Sequence, residues 1–244
     1  MSTTLRSSSF PAGSTRHDLD GLLDDNNPPT YESLDNECDI IQPQSILIDK
    51  VLIFPTEPPA NALYQLSRDL IAGTRINVER IDHEIISFGN NAPRSRVKDR
   101  PLYTFSHRIF DHRTIEITGK RKDGFASLLM IKTTHMFGSH WKIYVCTGLD
   151  HKVAGLLLQC KHSGGWHEKS KRFEWQDPSG AVVAVEDEHP EKHLNPRLRI
   201  IEPLQQKFID CLVTAWCARV WNYNLRVTGQ IRSLSKGKNA HFKG

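Results

Sequence analysis

The chain has 244 residues, of which 38% are hydrophobic and 25% charged, and five cysteines at irregular intervals; this suits one globular domain and excludes a collagen-like, wholly disordered or disulfide-scaffold protein. Its first residues lack the apolar stretch of a secretion signal and no run of 18 apolar residues occurs, so the expected location is intracellular, cytoplasmic or peripheral to a membrane, and a spanning helix is excluded. The net charge of +4 is divided: residues 1–42 hold eight acids against Arg6 and Arg16, a balance of −6, which leaves +10 on the remainder.

Residues 1–44 are rich in Ser, Asp, Asn and Pro and show no hydrophobic period, so they are expected to form a disordered acidic arm. Within it Pro28-Pro29-Thr30-Tyr31 has the PPxY pattern of WW-domain ligands. Two prolines bias the chain toward polyproline II, so docking loses little further entropy, and Tyr31 supplies an aromatic anchor. Four-residue patterns also arise by chance; the setting in a segment free to be bound favours a genuine ligand.

After Gln44 the pattern changes to short β-type segments. Residues 46–54 are nearly continuously apolar, whereas 75–82 alternate, with Ile76, Val78 and Arg80 on one side. Segments 102–110, 114–118, 127–133, 141–145, 153–161, 172–176, 181–186 and 198–202 follow, separated by turn signals such as Lys122-Asp123-Gly124 and Asp177-Pro178-Ser179-Gly180. Some ten strands with no helix between them predict an antiparallel sheet closed as a barrel or sandwich, because parallel strands need long crossovers.

One helix is predicted at the end of this body, over 203–222, with Pro203 suited to its first turn. From Phe208 to Trp221 apolar residues cover most of its circumference and leave a polar stripe of Gln206, Asp210 and Thr214. A helix apolar nearly all round must be wrapped. Asp210, Arg219 and its short length argue for protein as the wrapper rather than lipid, so the expectation is a mainly β protein: a closed antiparallel barrel of about 10–12 strands enclosing a C-terminal hydrophobic helix. A surface face for dimerisation is the alternative. Residues 226–244 carry five cations and no acid and are expected to be a flexible basic tail, either solvated or in contact with a polyanion.

Strand count and helix together resemble the tubby C-terminal and LURP-one-related fold, shared with phospholipid scramblases, over roughly residues 45–225. The chain is also similar to a group of fungal proteins with the segments Leu63-Tyr64-Gln65-Leu66-Ser67, Asn77-Val78-Glu79-Arg80, Leu102-Tyr103-Thr104-Phe105, Arg172-Phe173-Glu174-Trp175 and the helix from Leu212 to Trp221; that likeness brings no activity with it. The tubby resemblance implies a basic barrel patch that binds phosphoinositides, without assigning individual positions. The PPxY pattern implies an adaptor or substrate of a HECT-type ubiquitin ligase, whose WW domains commonly read it.

Basic residues cluster at Arg94, Arg96, Lys98 and Arg100 and at Lys120, Arg121 and Lys122, both placed in predicted loops. They read either as solvated loops or as a convergent site for an anionic lipid head group. Nucleic acid is disfavoured, since no recognition helix, zinc-finger spacing or ribonucleoprotein aromatic motif occurs. Cys160, His162 and His167 could supply metal ligands, but CxxC and HExxH are absent and the cysteines lie on apolar segments, so no metal or other cofactor is expected. GxSxG, GxxxxGK[ST] and GxGxxG are also absent. The run Glu186-Asp187-Glu188-His189 reads as a solvated loop at a strand end, and Trp166 as a packing residue or one lining a loop pocket. The expected function is therefore a non-enzymatic interaction protein, with no catalytic residues assigned. The alternatives are a hydrolase-like enzyme with a loop-built site and a purely structural domain.

Overall fold

A computed structural model describes residues 40–71, 73–86, 94–108, 111–135, 138–148, 152–163, 172–187 and 195–228. The PPxY motif, Trp166, His167, His189 and the chain beyond Thr228 lie outside the described residues.

A two-residue strand β1 (Ile40–Ile41) precedes a run of hairpin-connected strands: β2 (Gln44–Asp49), β3 (Leu52–Pro55), β4 (Tyr64–Leu66), β5 (Arg75–Ile86), β6 (Arg94–Arg108), β7 (Asp111–Gly119) and β8 (Ser127–His135). They are continued by β9 (Gly138–Thr147), β10 (Lys152–Ser163), β11 (Arg172–Gln176), β12 (Val182–Asp187) and β13 (Arg197–Ile200). Each strand from β2 to β13 pairs antiparallel with the next, and β13 pairs back onto β2 at Leu198–Ile46, closing a barrel of 12 strands. Closure gives each of the 12 strands a neighbour on both sides. After β14 (Leu204–Gln205) the chain enters helix α1 (Gln206–Val227).

The alternation of the strands explains the interior. Ile76 and Val78 on β5, Phe105 on β6, Ile115 and Ile117 on β7, and Leu128 and Met130 on β8 all point inward and are buried, as are Ile143 and Trp175 across the barrel. The helix is buried continuously from Phe208 to Asn222. Its all-round apolar surface is thus met by sheet on every side, and Trp216 and Trp221 are both fully enclosed. Trp221 packs edge-on to Phe105, with ring centroids 5.4 Å apart, and stacks on His107 at 4.5 Å.

Several boundaries differ from those expected. The apolar run 46–54 folds as two strands, because Lys50 takes a positive φ of 54° and turns the chain between β2 and β3. Leu204 and Gln205 are extended and pair with Ile41 and Ile40, so the helix begins three residues after Pro203 and continues to Val227. At Gly119, the end of β7, an added Cβ would lie 2.1 Å from the Phe125 carbonyl oxygen, so the turn into β8 requires a residue without one. Among the described residues no helix is long and apolar enough to cross a membrane.

Candidate functional site

The two basic clusters lie at one end of the barrel, the end where the helix begins. Arg94–Arg100 does not form a loop, as expected, but the first half of β6, paired with β5 from Ile86↔Arg94 to Arg80↔Arg100. The physical reason is a carboxylate set among the cations: Asp82 on β5 stands opposite Lys98 and lies 2.7 Å from Arg100 Nε and 2.8 Å from Arg80 Nε, which supports the ladder without an apolar face. Arg96, Lys98 and Arg100 therefore share the face that carries Arg80 and Asp82, while Val97 and Asp99 point the other way.

Lys120, Arg121 and Lys122 do lie in a turn, between β7 and β8. The Lys120 N–H donates to the Leu102 carbonyl at 2.8 Å, and the Phe125 N–H to the Tyr103 hydroxyl at 3.3 Å, which holds this turn against β6 two residues beyond Arg100. Lys207, in the first turn of α1, sits with its ammonium 4.5 Å over the Phe125 ring. β1 pairs with β14 immediately before the helix, so the chain that carries Pro28-Pro29-Thr30-Tyr31 joins the fold at this same end, with Tyr31 nine residues before Ile40.

Not every cation here is available. Arg121 is held by Asp123, its Nε donating at 2.7 Å, and this hydrogen bond is the main reason that the Asp123 carboxyl is held below its ordinary value. Arg100 Nε lies 2.7 Å from Asp82. Arg80 donates through Nε to Asp82 at 2.8 Å and through Nη1 to Asp210 of the helix at 3.0 Å. Asp210 also accepts from the Tyr64 hydroxyl at 3.0 Å and from the Gln206 amide at 2.7 Å. Burial pushes the Asp210 carboxyl above the usual carboxylate range, against the pull of Arg80 and the other donors. The chain of contacts Asp210, Arg80, Asp82, Arg100 thus links the buried helix to the basic face. Arg96, Lys98, Lys120 and Lys122 remain exposed and without an ion pair among the described residues.

Other sequence candidates resolve differently. Glu186 is not in a solvated loop: it faces inward on β12, is 4% exposed, and accepts from Arg219 Nε at 2.7 Å and from Arg219 Nη2. Arg219 also lies over the Phe173 ring at 4.1 Å. The sequence signal for this pair was an inward β position on one element and a cation inside an apolar helix on the other. Cys160 is fully buried and its thiol is pushed up to about 12 by burial, so it behaves as a small hydrophobe; His162 packs on Phe173. Cys146, Cys211 and Cys217 are also buried as free thiols. Among the described residues no group of three His, Cys, Asp or Glu side chains is disposed to hold a metal.

Compared with known proteins, the chain matches no family model, no curated protein and no solved structure.

Proposed function

We propose that this chain is a non-enzymatic adaptor whose barrel docks through its basic end on anionic lipid head groups, while the acidic arm offers Pro28-Pro29-Thr30-Tyr31 to a WW-domain partner such as a HECT-type ubiquitin ligase. The observation that carries the reading is the presence of Arg96, Lys98, Lys120 and Lys122, exposed and without an ion pair among the described residues, at the end of the barrel from which the arm departs. Two clusters that are separate in sequence thus present one surface. The resemblance to tubby-like barrels supports phosphoinositides as the head-group class.

Each lysine or arginine near an anionic membrane contributes about 1 kcal/mol, so several acting together suffice for reversible docking that weakens with salt. In a liposome flotation assay at low ionic strength the full chain is expected to float with phosphoinositide-containing vesicles. A variant with Lys98→Ala, Lys120→Ala and Lys122→Ala is expected to stay at the bottom of the gradient. Equal flotation of the two proteins would reject this surface.

The arm is tested separately. By titration calorimetry a peptide of residues 26–34 is expected to bind a WW domain, with Tyr31→Ala weakening it by about tenfold or more through loss of the aromatic anchor. Identical isotherms for the two peptides would remove the WW reading and leave the lipid surface untouched.

A further inference from the structure

The opposite end of the barrel, where α1 finishes, holds a second group of cations with a different character. On β8 Leu128 and Met130 point inward, and Lys132 continues that face. Its ammonium lies 5.5 Å from the ring of Trp141, its cross-strand neighbour on β9. On β7 Ile115 and Ile117 point inward, and the exposed Arg113 precedes Thr114, which pairs with Ile131, the residue before Lys132. From the helix, Arg219, Asn222 and Arg226 form a stripe at i, i+3 and i+7. Arg226 Nε donates to Asn222 Oδ1 at 3.0 Å, and Asn222 Nδ2 lies 3.4 Å from His107 Nε2 on β6, which places the stripe toward this wall.

The described carboxylates nearby are engaged. Glu186 is bound by Arg219. Asp111 accepts from the Thr114 hydroxyl and, at 2.9 Å, from the Arg113 N–H, and Glu116 faces Arg108 on the outer surface at 3.5 Å. Lys132, Arg113 and Arg226 therefore come from three elements to one mouth, with no ion pair to any of them among the described residues. Burial first, then repulsion from Arg226 and Arg219, lowers the Lys132 ammonium to about 8, and burial with repulsion from Arg113 lowers Arg226. Such an arrangement costs stability when empty of anion, because like charges are gathered at a partly desolvated place.

We infer that Lys132, Arg113 and Arg226 form a binding site for a phosphate-type oxyanion at the helix C-terminal mouth, separate from the basic end already described. Three cations suit a dianion with several acceptor oxygens better than a single carboxylate, which would leave the group with positive charge in excess. The guanidinium of Arg113 and the Nη atoms of Arg226 offer forked donors, and Lys132 adds a point charge with three rotatable donors. The oxyanion is either a small soluble phosphate or the phosphate of a lipid head group.

The test uses thermal unfolding of the full chain in chloride buffer, with and without sodium pyrophosphate at matched ionic strength. The wild type is expected to show a saturable rise in Tm. Lys132→Met should unfold at the same temperature as the wild type or higher without pyrophosphate, because it removes repulsion, and should need at least about tenfold more pyrophosphate for the same rise. Arg226→Gln, at an exposed helix position, should lose the response in the same way, which covers the case that Lys132→Met does not fold. The Lys98, Lys120 and Lys122 triple variant should respond like the wild type. If vesicles bearing phosphorylated head groups, but not pyrophosphate, give a Lys132-dependent interaction, the site stands with the head group as its source. If neither probe depends on Lys132 or Arg226, the site is overturned, whatever the outcome at the other end of the barrel.

Discussion

Glu186→Ala is expected to cost about 3–5 kcal/mol of folding stability, among the largest losses available to a single side chain in this fold. The carboxylate is 4% exposed and takes two hydrogen bonds from Arg219, whose guanidinium is sandwiched against Phe173. Burial pulls that guanidinium down to about 10, which still leaves it charged at neutral pH. Removing Glu186 would strand a full charge inside the barrel, since no other acid among the described residues pairs with Arg219. Arg219→Met should be less damaging than Glu186→Ala only if the freed carboxylate can take up a proton. The double variant Glu186→Leu, Arg219→Met should return to within about 1 kcal/mol of the wild type, because desolvating an ion pair offsets most of its attraction. Urea unfolding of the three variants measures this. Additive losses in the double variant would mean that the pair is not coupled and that each side chain contributes by packing alone.

The same pair shows where sequence reasoning reaches and where it stops. The barrel and its helix were legible because alternation and an all-round apolar helix leave few ways to bury the same surface; Arg80 could even be assigned to the side of Ile76 and Val78. Glu186 was not legible. Acidic runs at strand ends are usually solvated, and its partner lies 33 residues away on another element. The first half of β6 was missed for a related reason: Arg94, Arg96, Lys98 and Arg100 have no apolar face, and what supports them as a strand is their pairing with β5, where Asp82 stands opposite Lys98 and takes Arg100. Tyr64–Leu66 is too short for any period to show. A convergent site was only one of two readings open to the two basic clusters, because which end of the barrel each occupies depends on the register of β6 against β5 and β7.

Asp210→Ala should be comparably damaging, at about 3–5 kcal/mol, and its consequences should reach the surface. The carboxylate satisfies the Tyr64 hydroxyl, the Gln206 amide and Arg80 together. Without it the buried Tyr64 hydroxyl loses its acceptor at the start of the helix, and the partly buried Gln206 amide and the Arg80 guanidinium each lose one of two partners. Asp210→Asn keeps one acceptor oxygen but turns an amide toward groups that are themselves donors, so an intermediate loss of about 1–3 kcal/mol is expected, while Tyr64→Phe removes one hydrogen bond for about 1 kcal/mol. The sign of the pH dependence follows from burial. Because the folded carboxyl sits above its ordinary value of 3.8, it binds its proton more tightly in the fold than in the unfolded chain. Its contribution is fully present below that pH and declines as pH rises through the folded value, so the gap between wild type and Asp210→Asn should widen toward acid. Arg80 would then rest on Asp82 alone, competing with Arg100 for the same carboxylate. Asp210→Ala should therefore loosen the β5–β6 face as well as the helix, and weaken vesicle binding even under conditions where the variant remains folded. A variant that is no less stable than Tyr64→Phe, or that is destabilised but floats like the wild type, would show that the network ends at the helix and does not order the basic face.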